Sequence, residues 1–367
     1  MRRAPDAEHP FAPYGLPGAP GTAAFWSRAG SPASVPDGDG GWRTLFLWRG
    51  SPASIRFESR PERVPLRRWA DTDCWYAEVA LPARLRVTYW FLSGGQAYAD
   101  PRNPAGVGGD RSVAATPDCP PQPYWPPVAA DDVLPLPRTR IRWTGGRLGG
   151  RRTVRVQPVG GGGPVVLLLD GDDWLHLHPA TTAFEAAFAA GAMPPVTLVF
   201  LPAGDREAEF ACRPELWEAV RDELLPLVAE GGVPADPDRL VVAGQSLGGL
   251  SALYAALRFP ELVTRVACQS GSFWWVPGAA DGPDPLGGEV GGTVAALLRE
   301  GADLSGLRIA FDVGEHERRM LPHCALVEEL CGKAGAAVRV SRSPSGHDRA
   351  GWRHALLRDV AWTLERP

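Results

Sequence analysis

The run Leu240-Val241-Val242-Ala243-Gly244-Gln245-Ser246-Leu247-Gly248-Gly249 constrains this chain more than any other stretch. Four apolar residues lead into Gly-x-Ser-x-Gly, and a helix-like stretch follows from Leu250 to Leu257. Strand, sharp turn with an exposed serine, then helix is the pattern of a nucleophile elbow. Such a turn forces the serine into a strained backbone conformation, and side chains at Gly244 and Gly248 are expected to clash. With 43 glycines in the chain, the pentapeptide alone is weak. Its flanking strand and helix carry the reading of an α/β-type serine hydrolase.

At 367 residues the chain is long enough for two domains, each with its own core. A net charge of -4 leaves no basic footprint for nucleic acid. Cys74, Cys119, Cys212, Cys268, Cys324 and Cys331 show neither CxxC pairing nor zinc-ligand spacing, so buried reduced thiols are expected. Arg2 and Arg3 are followed by prolines and charges rather than an apolar run, and no stretch is long enough to span a membrane. The expected compartment is the cytoplasm, with neither nucleic acid nor membrane as partner.

Residues 1–22 are rich in Pro, Gly and Ala and are expected to be loose. From Phe25 the pattern turns strand-like. The segments Trp42–Trp48, Cys74–Val79 and Leu85–Phe91 are short, rich in aromatic and β-branched residues, and separated by turn clusters. Residues 23–137 therefore read as an all-β, immunoglobulin-like domain, closed by an irregular Pro/Gly-rich connector over 103–137. Residues 138–367 alternate strands and helices, the pattern of a mostly parallel sheet covered on both faces. Expected strands include Val165–Leu169, Val196–Leu201, Val263–Cys268, Leu307–Val313 and Val338–Ser341. Expected helices include Pro214 to about Glu230, Leu321–Gly332 and Gly351–Leu364.

A serine hydroxyl needs a base within hydrogen-bond reach and an acid to orient that base. In α/β hydrolases these follow the nucleophile in the order acid, then histidine. Of the histidines after Ser246, His347 lies in Ser345-Gly346-His347-Asp348, between the last strand and the last helix, where the fold places its base. His323 and His354 fall in predicted helices and read as surface residues, while His316 is the weaker alternative base. Glu317, in the loop after Leu307–Val313, is the leading acid, with Asp312 at the strand end as its competitor.

The oxyanion donors expected are the amides of Leu247 and Asp172, the latter in the turn Asp170-Gly171-Asp172-Asp173-Trp174. Those acids read as turn formers rather than metal ligands, so neither metal nor cofactor is assigned. Trp174, Trp274, Trp275 and Trp352 follow strand ends or open helices near these loops and suit a flat aromatic ligand. Arg206 either binds an anionic ligand or pairs with Glu209.

Together these residues resemble the enterochelin (enterobactin) esterase family of siderophore esterases. The resemblance rests on Leu169-Asp170-Gly171-x-x-Trp174, on Gly244-Gln245-Ser246-x-Gly248-Gly249-Leu250-Ser251-Ala252-Leu253-Tyr254, on Gln269-Ser270-Gly271-Ser272-x-Trp274-Trp275, and on Gly346-His347-Asp348 followed by Trp352-Arg353. Phe25-Trp26 and Ala99-Asp100-Pro101-x-Asn103-Pro104 resemble the family's N-terminal β domain. The resemblance implies a cytoplasmic esterase that opens the trilactone of a ferric catecholate siderophore. It also implies Ser246 as nucleophile, His347 as base and Glu317 as acid, and matches Arg206 to an arginine of the family. Arg213 stands where the family has a small polar residue near the pocket, and the Asp172-Asp173 pair also departs from common members; Arg213 suits a trianionic complex, extra acids do not. Two other readings remain. One is a carboxylesterase of the same fold acting on feruloyl or acetyl esters of a polysaccharide, with a carbohydrate-binding β domain. The other is a binding protein that keeps the elbow for its shape.

Overall fold

The structure is a computed structural model that describes residues 10–365 apart from 17, 129–131, 133, 145, 234–235 and 280–283. The first nine residues of the stretch expected to be loose lie outside the described residues. The chain divides into two compact units. The first comprises Met1–Pro121, Pro127–Val133 and Pro344–Ala350; the second comprises Gln122–Pro126, Leu134–Ser343 and Gly351–Pro367.

The strands of the first unit are β1 (Ala33–Pro36), β2 (Trp42–Arg49), β3 (Ala53–Phe57), β4 (Arg60–Pro65), β5 (Arg67–Arg68), β6 (Cys74–Leu81), β7 (Arg86–Ser93), β8 (Gln96–Tyr98), β9 (Gly106–Gly108) and β10 (Arg111–Ala115). Among the described residues they form a four-stranded sheet, β1-β2-β6-β5, and a six-stranded sheet, β4-β3-β7-β10-β9 with β8 on β7. Side chains alternate along a strand, so the two faces of β2 meet different neighbours. Phe46 joins Ile55, Phe57, Val87, Tyr89 and Phe91 in a core drawn from both sheets. Leu45 and Leu47 face the other way, into a cluster with Phe11, Phe25, Trp26 and Tyr76. Burial on both faces is why β2 shows no clean apolar–polar alternation.

That second cluster corrects two expectations. Phe11, in the stretch expected to be loose, is fully buried and meets Tyr76 edge-on at 4.9 Å between ring centroids. Phe25, expected to begin a strand, sits in the single-turn helix α1 (Ala23–Trp26), capped by Thr22 Oγ1, which accepts from Phe25 N. The expected connector also carries structure. β10 pairs with β7, from Ser112↔Tyr89 to Ala115↔Arg86. Polar side chains hold that turn: Asn103 Nδ2 donates to Val113 O at 2.8 Å, and Tyr89 Oη donates to Asp100 Oδ2 at 2.7 Å. The segment's weak hydrophobic pattern hid a strand that long-range hydrogen bonds fix in register.

The second unit contains β11 (Thr139–Trp143), β12 (Arg152–Val159), β13 (Val165–Leu168), β14 (Val196–Phe200), β15 (Val241–Gln245), β16 (Arg265–Gln269), β17 (Arg308–Gly314) and β18 (Ala337–Ser343). Among the described residues they form an eight-stranded sheet in the order β11-β12-β14-β13-β15-β16-β17-β18. β11 and β12 run antiparallel, and the strands from β14 across to β18 are parallel. The helices are α2 (Gly171–His176), α3 (Ala180–Ala189), α4 (Arg206–Phe210), α5 (Pro214–Ala219), α6 (Leu225–Glu230), α7 (Leu247–Arg258), α8 (Gly292–Arg299), α9 (Leu321–Lys333) and α10 (Arg349–Leu364). Helices cover both faces of the sheet. Val242 packs in one core with Leu250 and Phe311, whereas Val241 and Ala243 pack in the other with Phe184 and Leu356. This two-sided burial produces the continuous apolar runs seen in the sequence.

The expected helix from Pro214 to Glu230 is interrupted by a π-helical stretch, Val220–Leu224, in which Leu225 N donates to Val220 O. Pro226 follows directly. It has no N–H, and its ring crowds the preceding turn, so the wider stretch admits it without breaking the helix.

Candidate active site

Ser246 joins β15 to α7 with φ 56° and ψ −120°, outside the regions an L-residue favours. Backbone bonds hold it there. Its amide donates to Gln269 O at 3.0 Å, and its carbonyl accepts from Ser272 N at 2.9 Å and Leu250 N at 3.0 Å. The hydroxyl lies 3.2 Å from Ser272 Oγ. A Cβ at Gly244 would stand 2.2 Å from Gly248 O, so strand and helix meet only because that residue is glycine. Gly248, expected to be equally constrained, has its nearest neighbour at 3.4 Å, on Asp170 Oδ2. The second tight position is Gly249, where a Cβ would lie 2.9 Å from Cys268 Sγ and 3.0 Å from Gly271 Cα.

Positive φ recurs along the same sheet edge. Asp170 (φ 52°), Ser246 (φ 56°) and Ser270 (φ 48°) follow the carboxyl ends of β13, β15 and β16. Such strain concentrates at functional sites. Asp170 grips Arg206 through two bonds, Nε to Oδ1 at 2.7 Å and Nη2 to Oδ2 at 2.8 Å, and Arg206 also reaches Gln245 O at 3.3 Å. Of the two readings of Arg206, the pairing with Glu209 is not formed, because Glu209 is taken by Arg152. Arg206 keeps 41% of its side chain exposed. Gly171 was expected to supply a bend, yet the left-handed residue is Asp170. Glycine is needed at 171 because a Cβ would stand 2.6 Å from Leu201 N. Leu247 and Asp172 lie in the first turns of α7 and α2, where helix geometry gives amides no intrahelical acceptor.

Glu317 is buried, and its Oε1 accepts from Gly314 N at 2.9 Å and from the Ser270 hydroxyl. Ser270 in turn accepts from Trp352 Nε1 at 2.8 Å. Gln245 and Gln269 are register partners in neighbouring strands, so Ser270 stands beside Ser246 and brings Glu317 to the same end of the sheet.

Asp312 serves a different network. Its Oδ1 accepts from Ser341 Oγ at 2.8 Å and Arg358 Nη2 at 3.3 Å. Arg358 Nε also donates to Asp359 at 3.1 Å. Two buried carboxylates thus share one guanidinium. Burial raises both carboxyls, Asp359 to about 7, with the neighbouring Asp312 charge adding to the rise at Asp359. A polar chain continues from Asp359 through Gln269 (3.2 Å) and Gln245 (2.8 Å) to Trp174 Nε1 (3.1 Å).

His347 is half-buried in Pro344–Ala350, a segment of the first unit. His316 is exposed. His323, expected at the surface, is buried and accepts from Gly291 N at 3.2 Å. His354, also expected at the surface, is half-buried in the wall of a cavity of about 370 Å³ with Tyr124, Trp125 and Trp362.

The aromatic expectations divide. Trp174 and Trp352, expected at a pocket mouth, are both buried, and their indole N–H groups are spent on Gln245 and Ser270. They brace the site from within. Trp274 and Trp275 are half-buried, and Arg213 is exposed at the N-cap of α5. Sequence reasoning gives Ser270 and Ser272 no role, although the run Gln269-Ser270-Gly271-Ser272 contains them. Their signal was a serine-rich strand end next to the elbow strand. Among the described residues no group of three or more His, Cys, Asp or Glu side chains is placed to hold a metal ion, and no helix is long and apolar enough to cross a membrane.

The Esterase family model matches residues 145–363. The iron(III) enterobactin esterase of Dickeya dadantii (strain 3937) is 30% identical, over 94% of this chain and 93% of that protein. The iron(III) enterobactin esterase of Escherichia coli (strain K12) is 33% identical, over 72% of this chain and 67% of that one. The chain belongs to the enterochelin esterase family. Among solved structures, the enterobactin esterase of Shigella flexneri in the presence of enterobactin superposes with a TM-score of 0.80 at 27% identity, over 94% of this chain and 98% of that one. The Salmonella typhimurium ferric enterobactin esterase gives a TM-score of 0.79. As a member of the enterochelin esterase family, this chain is a carboxylic ester hydrolase with an α/β-hydrolase catalytic fold and an all-β N-terminal region.

Proposed function

We propose that this esterase hydrolyses the trilactone esters of a ferric catecholate siderophore such as iron(III) enterobactin, in the cytoplasm. The single observation that carries the substrate class is the similarity to iron(III) enterobactin esterases along nearly the whole chain, β region included. In this reading Ser246 attacks the ester carbonyl while His347 takes its proton and Glu317 orients the imidazole. The oxyanion is held by the amides of Leu247 and Asp172. Collapse breaks the scissile ester bond and expels the substrate's alkoxide, which takes from His347 the proton that Ser246 gave up; water, losing a proton to His347, then attacks the acyl-enzyme, and Ser246 leaves with that proton. Trp274, Trp275 and Arg213 are the side chains we assign to the aromatic, anionic ligand, with Arg206 offering its exposed portion. We also infer that the β region is an immunoglobulin-like sandwich, a reading supported by its two antiparallel sheets around one core.

The test is chromatography of iron(III) enterobactin incubated with wild type and with Ser246→Ala. Linear catechol–serine fragments are expected from wild type alone. Fragments from both proteins would refute the nucleophile. Intact siderophore, with wild type still cleaving a nitrophenyl ester, would refute the substrate class.

A further inference from the structure

Within the first unit, the segment Pro344–Ala350 lies along β7 in the manner of an added strand. Arg86 N donates to Pro344 O at 2.7 Å, and Arg86 forms a parallel bridge with Ser345. Two residues on, Thr88 N donates to Asp348 Oδ2 at 2.9 Å and Thr88 Oγ1 donates to Asp348 Oδ1 at 2.8 Å. β3 pairs with β7 only as far as Phe57↔Tyr89, followed by a last bond from Glu58 N to Thr88 O. The segment therefore takes up the rungs that β3 does not reach, and a carboxylate stands in for a backbone carbonyl at one of them.

The anchoring is tight. Asp348 is fully buried, Thr88 nearly so, and Asp348 Oδ1 also accepts from Ala350 N at 2.8 Å. Arg349 pairs with Glu58, and Ala350 packs with Val107 and Val113. Gly346 runs so close to the chain that a Cβ would stand 2.8 Å from Ser59 Cβ. His347 sits between the two anchors, Ser345 and Asp348. Each fixes the backbone on one side of it, so its Cα has little freedom to shift or turn. A buried carboxylate with three donors is costly to unmake, because each donor would be left unpaired.

We propose that Thr88 and Asp348 are positioning residues for the general base. They set the place and tilt of the His347 imidazole through the loop backbone, which gives β7 a part in catalysis. This rests on the assignment of His347 as base, made above. It accounts for a central sheet strand that donates a backbone N–H and a side-chain hydroxyl to one carboxylate directly after the histidine.

The experiment measures kcat and KM of the full chain on p-nitrophenyl butyrate and on iron(III) enterobactin. The variants are Thr88→Val, Thr88→Ser, Asp348→Asn, His347→Ala and the double variant His347→Ala/Thr88→Val. Thr88→Val keeps the shape and removes one donor; kcat is expected to fall about tenfold with KM unchanged, since small misplacements of a catalytic group are costly. Thr88→Ser restores kcat. Asp348→Asn puts an amide N–H against a donor and lowers kcat further. In the His347→Ala background Thr88→Val has no additional effect, because the group it positions is gone. Wild-type kcat in Thr88→Val, or an equal loss in the His347→Ala background, would overturn the positioning role. Wild-type kcat in His347→Ala would instead overturn the base assignment, and the proposal with it.

Discussion

Gly244 and Gly248 bracket Ser246 alike in sequence, but the structure gives them opposite responses to alanine. A Cβ at Gly244 lies 2.2 Å from Gly248 O and 2.4 Å from Gly248 C, both backbone atoms that cannot rotate away. To accept it, α7 must retreat from β15 by about 1 Å, and overpacking of this kind costs about 3 kcal/mol, the upper end of its usual range. For a unit of this size that lowers the melting temperature by about 6–12 °C. At Gly248 the nearest atoms, Asp170 Oδ2 at 3.4 Å and Leu169 Cβ at 3.5 Å, are at ordinary contact distance. Gly248→Ala removes a flexible residue from the first turn of a helix, a gain of about 0.5 kcal/mol that leaves the melting temperature level or slightly raised. Thermal unfolding reads the stability, and the rate at which a fluorophosphonate labels Ser246 reads the elbow. Gly244→Ala is expected to lose both, Gly248→Ala neither. Equal destabilisation by the two variants, or a neutral Gly244→Ala, would refute the steric argument.

Glu317→Gln keeps an oxygen for Ser270 and Gly314 N but removes the charge, so if Glu317 orients the base as proposed, kcat falls about 10³-fold in a folded protein. Asp312→Asn should leave kcat within about threefold; the reverse outcome in steady-state assays would move the acid to Asp312. Burial holds the Asp359 carboxyl at about 7 in the folded protein, above its unfolded value, so its contribution to stability is full at low pH and is lost as pH rises through 7. Asp348, raised to about 7 by burial and then by Glu58, acts with the same sign. Melting temperature should therefore fall between pH 5 and pH 8 by more than in Asp359→Asn, and parallel curves for the two proteins would exclude Asp359 as a source.

The second unit was largely legible because its demands are local. Parallel strands buried on both faces leave apolar runs such as Val165–Leu169, and the helices between them keep their own period. The first unit was less so. β10 has little hydrophobic pattern and owes its register to Asn103 and to β7, and the cover over β2 comes from Phe11 in a Pro-rich stretch without strand or helix signal. At the site, residue types and chain order pointed to Ser246, His347 and Glu317. The roles of the tryptophans were not readable, because an indole at a strand end looks the same in sequence whether its N–H faces a ligand or, as at Trp174 and Trp352, a buried acceptor.

The sequence by itself determined the elbow. A strand that must turn sharply into a helix needs glycine where backbones touch, and Gly244 records that need within five residues. Tertiary structure decided which partners each carboxylate keeps and what holds the histidine loop. Asp312 is claimed by Ser341 and Arg358, and Asp348 is held by Thr88 from 260 positions away. Such partners share no local period, so only the folded chain brings them together.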